Sequence, residues 1–345
     1  MSTYLLNLDI LTELIVHLPP RDALVYGSTC HFLRTLSIRH AVSNVQFSSA
    51  SRLTQFCHFV VSDPSSRAPF IRSLSLLPSI SKTSATFLSS LAAVADLLTL
   101  TTNLSSLTLS CADLILMCEP TLFTAITALP RLTSLSLNSV GNDAQDMLLQ
   151  LRCAPHLERL HISEEWTISP HDPLDPSHDG IRLPPLPRLQ TLILTNVKSK
   201  PLHGLLPSLA PSLRTLHLSR VEFTGQAGTG SDLTRCPPNS FNLLRSDALS
   251  LARMGFLQPV RAIELDATRI DQLDGDGFVA LGEALACASP QRLAVRMQAS
   301  GGEAFRKLSV PVLSRLRYLE VIAPDAQVLP LALKLLVRLR VHHQP

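Results

Sequence analysis

Leu129-Pro130-Arg131-Leu132-Thr133-Ser134-Leu135-Ser136-Leu137 contains the pattern Pro-x-Leu-x-x-Leu-x-Leu, which returns along most of the chain. Close copies occupy residues 155–162, 187–194 and 211–218, and looser ones occupy 71–76, 104–109, 260–265, 316–321 and 336–341. Alternate side chains of a strand point to the same side, so both residues of Leu-x-Leu face one core. One such unit cannot bury its apolar face alone, and neighbouring units must stack. The pattern therefore predicts parallel strands, each followed by a helix-bearing return.

The spacing of the copies fits one strand and one helix per repeat. The first aliphatic residues of the strands stand at positions 74, 107, 135, 160, 192, 216, 263, 293, 319 and 339, mostly 24 to 33 residues apart. From about residue 70 to residue 341 the chain resembles leucine-rich repeat proteins. That resemblance implies an α/β solenoid of about 10 to 11 repeats, with parallel strands on its concave face and helices on its convex face. Val140, Val197 and Val221 stand where the family usually has Asn or Cys, so the repeats resemble its irregular class.

Composition limits the classes of function. The chain has 345 residues, a net charge of +3 and only 17% charged residues, which predicts no attraction to nucleic acid or to a membrane surface. Its 7 cysteines show no Cys-x-x-Cys spacing and indicate a reducing compartment. The N-terminus lacks a basic region, and no apolar run reaches membrane-spanning length. We expect a soluble, intracellular protein, in the cytoplasm or the nucleus.

Residues 5–40 lie outside the repeats and indicate three short helices. The apolar residues of the first helix share one face at helical spacing: Ile10, Leu11, Leu14, Ile15 and Leu18. Pro19-Pro20 should end that helix, and Asp22 is predicted to cap the second. Gly27 breaks the pattern again before a third helix over Thr29–Ile38.

These helices carry three segments that together resemble an F-box. Leu6-Asn7-Leu8-Asp9-Ile10-Leu11 is similar to the family's Leu-Pro-x-Glu-Ile-Leu. Leu18-Pro19-Pro20-Arg21-Asp22-Ala23-Leu24 is similar to Leu-Pro-x-x-Asp-Leu, and Thr29-Cys30-His31-Phe32-Leu33-Arg34 to Val-Cys-x-x-Trp-Arg. The departures from the family are Asn7 for Pro, Asp9 for Glu, Thr29 for Val and Leu33 for Trp. The resemblance implies a short three-helix F-box over residues 1–42, followed by the repeat solenoid over residues 43–345.

In the F-box family this motif docks on a Skp-family adaptor and, through it, on a cullin scaffold. The residues carried over as the adaptor-binding surface are Leu8, Ile10, Leu11, Leu14, Leu18, Pro19, Leu24, Cys30 and Leu33. The chemistry would be apolar, and each fully buried side chain would contribute about 1.5–3 kcal/mol before ordering costs. The alternative is that the same leucines only pack these helices against the first repeat.

The repeats also give local predictions. Val45-Gln46-Phe47 and the helical stretch 51–61 predict a first, atypical repeat, and residues 243–251 a degenerate one. Helices are predicted over 83–100, 122–129, 143–153 and 278–288, with Asp143 capping the third and Asp276 the fourth. Insertions near 164–185 and 222–239 interrupt the rhythm, and Trp166 in the first is the only tryptophan. Such insertions often contribute to the recognition of a partner, although a mobile loop without a binding role is an equal alternative.

Strand residues between the core positions should form the exposed face of the sheet and bind a target protein. The target-binding candidates, with the insertion residue Trp166, are Arg159, His161, Trp166, His217, Glu264, Arg292, Arg296, Tyr318 and Glu320. The gradient from small hydroxyl side chains in the first repeats to charged ones in the last places specificity in the C-terminal half. An ordinary solvated face is the alternative for any single residue.

Other local motif matches do not indicate a catalytic or ligand-binding site. Gly225-x-x-Gly228-x-Gly230 lacks the strand and helix context of a phosphate-binding loop. Residues 272–283 place several residues at calcium-loop positions, but Gln272 occupies the first ligand position. His171 and His178 lie in the Pro-rich insertion without converging ligands. We therefore predict no catalytic residues, no metal and no cofactor.

The sequence thus favours a substrate-recognition subunit of a cullin-based (SCF-type) ubiquitin ligase, which is not itself an enzyme. The alternative is a leucine-rich repeat interaction scaffold whose N-terminal helices are only a cap. A hydrolase or metal-dependent enzyme is disfavoured, because no nucleophile, base and orienting residue appear together. The target protein is not identified by the sequence.

Overall fold

The computed structural model describes residues 8–78, 85–163, 183–199, 211–223, 241–254, 259–267, 270–296 and 316–322. The chain divides into two compact units, Met1–Ala154 and Pro155–Pro345. Several predicted features lie outside the described residues: the strand at 336–341, the glycine motif and the two histidines of the insertions, and Trp166. No described helix is long and apolar enough to cross a membrane.

The first unit begins with three helices and continues with alternating strands and helices. In chain order its elements are α1 (Leu8–His17), α2 (Pro20–Gly27), α3 (His31–Ser43), β1 (Asn44–Phe47), α4 (Ala50–Val61), α5 (Pro64–Arg67), β2 (Ser73–Leu76), α6 (Ala85–Ser89), α7 (Leu91–Leu100), β3 (Ser106–Leu109), α8 (Ala112–Cys118), α9 (Pro120–Thr127), β4 (Ser134–Asn138) and α10 (Asn142–Leu149). The strand β1 and the helix α4 confirm the atypical first repeat.

In its described residues the second unit is richer in strands. Its elements are β5 (Arg159–Ser163), β6 (Thr191–Thr195), β7 (Lys198–Ser199), β8 (Thr215–Ser219), β9 (Glu222–Phe223), β10 (Phe241–Asp247), α11 (Ala248–Met254), β11 (Val260–Asp266), α12 (Gly275–Ala288), β12 (Arg292–Arg296) and β13 (Tyr318–Ile322). The pair β10 and α11 confirms the degenerate repeat predicted near residues 243–251.

The strand register confirms the repeat. In the first unit the strands lie in the order β1-β2-β3-β4, all parallel, and Val45, Leu74, Leu107 and Leu135 are successive partners. In the second unit the order is β5-β6-β8-β10-β11-β12-β13, again parallel. The residues aligned there are Leu160, Leu192, Leu216, Leu244, Ile263, Leu293 and Leu319. Val45 and Leu319 are partly buried, and the other aligned residues are buried, as the alternation of apolar and polar positions requires.

The backbone turns sharply after four of these strands. Cys111, Ser139, Asn196 and Arg220 each follow the strand at the same repeat position and adopt φ values of 53 to 56°. This left-handed conformation is strained for residues other than glycine, and Asn tolerates it best. The next residue in each case is apolar and buried, and these residues are Ala112, Val140, Val197 and Val221. The valines that replace the family's Asn are therefore core residues.

At some of these turns, side chains from the next repeat accept hydrogen bonds from the backbone N–H groups. The Asp247 carboxylate accepts from the backbone N–H of Arg220 at 2.6 Å, and the Ser250 hydroxyl accepts from that of Val221 at 2.8 Å. The two side chains are also joined to each other, because Ser250 Oγ donates to Asp247 Oδ2 at 2.6 Å. Buried backbone donors must find partners, and this pair of residues supplies them.

In the first unit hydrogen bonds also join one repeat to the next, but here the acceptor side chain comes earlier in the sequence than its donors. Asp113, at the start of α8, accepts from the backbone N–H groups of Asp143 and Ala144 in α10, at 3.0 and 3.3 Å. Burial raises the pKa of the Asp113 carboxyl, and these backbone hydrogen bonds oppose that rise. Gly141 permits the contact, since a Cβ there would lie 2.4 Å from Asp113 Oδ2.

Three predicted helix caps are wrong. Helix α2 begins at Pro20, because the fixed φ of proline suits the first helical position, and Asp22 falls within the first turn. The cap position of α10 is Gly141, and Asp143 lies in the first turn, where its own backbone N–H donates to Asp113 Oδ1. Asp274, not Asp276, caps α12, with its Oδ1 accepting from Gly277 N at 2.7 Å.

Candidate protein-interaction surfaces

The three N-terminal helices enclose a small apolar core of their own. Ile15, Ala23 and Leu33 are buried together, one from each helix. The side chains packed around them are partly buried: Leu11, Leu18, Tyr26 and Leu36. Helices α2 and α3 approach closely at Gly27, where a Cβ would lie 2.7 Å from that of Ser37. We call α1–α3 the helical module.

Helix α3 connects the helical module to the first repeat. The guanidinium of Arg39 stacks over the ring of Phe70 at 4.4 Å from its centroid, and Val42 is buried. The imidazole of His40 donates from Nε2 to the carbonyl oxygen of Leu18 at 3.0 Å, which fixes the end of α1 against α3. These contacts anchor the module without using the outer side chains of α1 and α2.

Large apolar side chains remain exposed on this module. Six of the fourteen that the described part of the chain exposes lie on α1–α3, and these are Ile10, Leu14, Val16, Leu24, Val25 and Phe32. Ile10 and Leu14, one turn apart on α1, are 50% and 49% exposed. Such a concentration of exposed aliphatic groups is typical of a surface that a partner covers.

The sequence-predicted adaptor residues fall into three groups. Ile10, Leu14, Leu24, Pro19 and Cys30 are exposed, and Leu11 and Leu18 are partly buried. Leu33 faces the interior of the module and is 7% exposed, while the side chain of Leu8 lies outside the described residues. Sequence reasoning missed Phe32 and Val25, whose exposure depends on how α2 and α3 pack. The sequence alone carries no signal for that.

A second surface lies on the exposed side of the strands in the second unit. Here β8 and β10–β13 line an open cavity of about 400 Å³. Its charged and titratable side chains are His217, Arg245, Asp247, Glu264, Asp266, Arg292, Arg296 and Glu320. Consecutive repeats thus place side chains of opposite charge beside each other on one face.

Two ion pairs cross neighbouring strands in this cavity. Arg245 Nε lies 2.7 Å from Glu264 Oε2, and Arg292 Nη2 lies 2.8 Å from Glu320 Oε2. The Glu320 carboxylate, through its hydrogen bond and its charge, raises the pKa of the Arg292 guanidinium above its usual value. Ala294 lies between the strands that carry Glu264 and Glu320, and is in register with both. We call the depression above its methyl group the Ala294 pocket.

Two half-buried histidines occupy the middle positions of β5 and β8. Burial, and next the positive charge of Arg245, lower the pKa of His217 below 6.5, against the opposing effects of Glu264 and Asp247. Burial, followed by the proximity of His217, lowers the pKa of His161. Both rings are therefore held mainly uncharged at neutral pH.

The cavity brings together five of the nine predicted target-binding residues, namely His217, Glu264, Arg292, Arg296 and Glu320. Tyr318 is next to Arg292 in register, whereas Arg159 and His161 lie on β5, and Trp166 is outside the described residues. Sequence reasoning missed Arg245 and Asp247, because Ser246 replaces the second leucine of their repeat. The long gap between Leu216 and Ile263, too long for one repeat, was the signal that could have located them.

Within the described residues, no three His, Cys, Asp or Glu side chains come close enough together to hold a metal ion. The Asp274 carboxylate of the calcium-like stretch is occupied as the cap of α12.

No protein-family model matches the chain, and no curated protein matches it. Among solved structures, it is similar to the leucine-rich repeat-containing protein LegL7 from Legionella pneumophila. The two chains are 15% identical, the match covers 83% of this chain and 89% of that chain, and the TM-score is 0.34. The repeat architecture described above rests on the register of the strands.

Proposed function

We propose that this protein is the substrate-recognition subunit of a cullin-based ubiquitin ligase. In this proposal the helical module docks on a Skp-family adaptor, and the repeats bind a target protein. The protein performs no chemistry itself, since ubiquitin transfer belongs to other subunits of such ligases. The N-terminal segments 6–11, 18–24 and 29–34 resemble the F-box family and support this assignment.

One observation carries the proposal: Ile10 and Leu14 remain half exposed although the module has a complete core of its own. If α1 were only a cap on the repeats, its apolar stripe should be buried against them. Instead, Ile15 fills the core, and the two residues on the neighbouring side of α1 are left for a partner. Exposed aliphatic groups on a small helical module suit a hydrophobic groove on the adaptor.

Among the residues whose side chains the structure describes, the docking surface proposed here differs from the sequence expectation at one position. Leu33 belongs to the core of the helical module, and the adjacent Phe32, which is 44% exposed, takes its place in the surface. The adaptor-binding residues are then Ile10, Leu14, Leu24 and Phe32, with Pro19 and Cys30 exposed beside them in sequence. Leu11 and Leu18 are partly buried and lie beneath this docking surface, against the core of the module.

The test is capture of the full chain by a purified Skp-family adaptor. The wild type is compared with the double variant Ile10→Asp, Leu14→Asp. Val16→Asp is the matched control, because Val16 is also exposed but projects from the opposite side of α1. Circular dichroism verifies that all three proteins are folded. We expect the wild type and Val16→Asp to bind, and the double variant to bind at least about tenfold more weakly.

Each other outcome has a definite meaning. Failure of the folded wild type to bind would exclude the ligase role and leave a leucine-rich repeat scaffold with a helical cap. Equal binding by the wild type and the double variant would show that the adaptor uses another surface. Loss of binding in Val16→Asp alone would move the surface to the other side of α1.

A further inference from the structure

The edge at which the strands of the second unit begin carries an arginine on every second strand. Positions 215, 243, 262, 292 and 318 are successive partners across β8, β10, β11, β12 and β13. The residues that directly precede them, all exposed, are Arg214, Asn242, Arg261, Gln291 and Arg317. Backbone hydrogen bonds join neighbouring members, as where the carbonyl oxygen of Gln291 accepts from Arg317 N at 2.9 Å. We call these five residues the arginine row.

The charges around the Ala294 pocket are balanced, whereas those of the arginine row are not. Glu264 and Glu320 lie three residues further along their strands than the row, about 10 Å away, and each is paired with an arginine outside it. Asp247 and Asp266 lie five residues further along, about 16 Å away, and Asp266 is in register with Arg296. Salt screens charges at that distance, since the Debye length is about 8 Å at physiological ionic strength.

Other charges at this edge do not cancel the row. From β8 to β13, neither the row nor the next position along each strand holds a carboxylate. The first one in the direction of the row is Glu158, two strands beyond Arg214, with Arg159 beside it. On the helices that follow β10 and β11, the exposed Arg253 and Glu283 are opposite in charge. The row therefore presents three positive charges to solvent.

The spacing of the arginines fits one backbone conformation of a bound peptide. Neighbouring strands lie about 4.8 Å apart, so arginines on alternate strands are about 9.6 Å apart. A polyproline II segment has three residues per turn and rises about 3.1 Å per residue, so every third side chain points the same way at about 9.3 Å intervals. Carboxylates with that period would each meet an arginine. The amides of Asn242 and Gln291, between the arginines, can donate to the carbonyl oxygens of such a segment.

A protein segment suits this row better than a nucleic acid. Binding of single-stranded nucleic acid stacks successive bases on several aromatic side chains. Among the aromatic side chains that the structure describes in the second unit, Tyr318 alone is exposed beside the row. The chain's isoelectric point of about 8.5 also lies below the range above 9 that is typical of nucleic-acid-binding domains.

We propose that the arginine row binds an extended segment of a target protein that carries Asp or Glu at every third residue. The segment crosses the starts of β8 to β13 in the polyproline II conformation. Its carboxylates accept from Arg214, Arg261 and Arg317 in charge-assisted hydrogen bonds. This inference rests on the proposed function, in which the repeats bind a protein, and it names the chemistry of the recognised segment.

The test measures fluorescence polarisation of labelled probes on the full chain. The periodic peptide has Glu at every third position with Pro and Ser between, and a contiguous peptide has the same composition with its glutamates adjacent. A single-stranded oligouridylate is the third probe. We expect the periodic peptide to bind about threefold more tightly than the contiguous one, and both to bind more tightly than the RNA.

Substitutions connect this binding to the row. Arg261→Gln should weaken binding of the periodic peptide about threefold, and the triple variant with Gln at positions 214, 261 and 317 at least about tenfold. Arg220→Gln is the matched control, because Arg220 is an exposed arginine at the opposite end of β8. It should bind like the wild type. Circular dichroism verifies that all the variants are folded.

The inference is overturned if the periodic peptide does not bind, if the contiguous peptide binds as tightly, or if the folded triple variant keeps the wild-type affinity. Tighter binding of the oligouridylate would overturn it in favour of a nucleic-acid surface. Adaptor capture is measured on the same proteins and should be unaffected by the triple substitution. Peptide binding without adaptor capture would remove the ligase role and keep the recognition row. Adaptor capture without peptide binding would do the reverse.

Discussion

Arg220 donates its backbone N–H to the buried carboxylate of Asp247, across 2.6 Å and from one repeat to the next. Arg220 adopts a left-handed conformation with φ of 55°, which is unfavourable for its side chain. The carboxylate also accepts from the N–H and the hydroxyl of Ser250. One carboxylate thus accepts hydrogen bonds both from a strained turn and from the start of α11.

Asp247→Ala should lower the free energy of unfolding by about 2–4 kcal/mol, since it leaves several buried donors without an acceptor. Urea unfolding followed by circular dichroism measures the change. Asp276→Ala is the control, because this exposed carboxylate in the first turn of α12 should contribute less than about 1 kcal/mol. Equal effects of the two substitutions would contradict the structural role of Asp247.

Gly141 and Gly282 should respond to alanine with opposite signs. A methyl group at Gly141 would lie 2.4 Å from the Asp113 carboxylate, so Gly141→Ala should cost about 1–3 kcal/mol. A Cβ at Gly282 meets nothing within 4 Å in the interior of α12, so Gly282→Ala should stabilise the protein by about 0.5–1 kcal/mol. Thermal unfolding of both variants tests the pair. A stabilised Gly141→Ala variant would mean that Asp113 does not bind the start of α10.

The sequence predicted the repeat well because the Leu-x-x-Leu-x-Leu spacing directly reports which side chains are buried. Within each unit it located the strand residues that stand in register, but it omitted Leu244, whose repeat has Ser246 in place of a leucine. Helix caps were less predictable, because Asp113 and Asp247 receive donors from other repeats, about 30 residues away in sequence. The exposure of Phe32 and the burial of Leu33 likewise depend on tertiary packing.

Adjacent residues Phe32 and Leu33 should separate binding from stability. Leu33→Ala removes a side chain that packs with Ile15 and Ala23, so it should lower the free energy of unfolding by about 2–3 kcal/mol. Phe32→Ala should change stability by less than about 1 kcal/mol but weaken adaptor capture. Denaturation and capture are measured on both variants. A stable Leu33→Ala variant that loses the adaptor would return Leu33 to the docking surface.

The half-buried histidines should make stability depend on pH. The pKa of His217 and that of His161 are both lowered in the folded chain, so the unfolded chain binds more protons below pH 6.5. The two histidines contribute to stability above pH 6.5, and this contribution is lost as the pH falls through their lowered pKa values. His217→Gln should therefore lose less stability than the wild type on mild acidification. NMR titration of the ring protons checks the cause, since midpoints at or above 6.5 in the folded chain would contradict it.

Thiol reactivity should separate the buried cysteines from the exposed ones. Burial, with a smaller contribution from the charge of Asp96, raises the pKa of Cys57 to about 11. Burial raises the pKa of Cys153 to about 11 as well. Only the thiolate reacts with iodoacetamide, and at pH 7 about one molecule in ten thousand carries it at either position. Cys30 and Cys118 are exposed and should be alkylated first, as peptide mass mapping over time would show. Addition of urea should remove the difference. Alkylation of Cys57 in the folded protein as fast as that of Cys30 would contradict the packing of α4 against its neighbours.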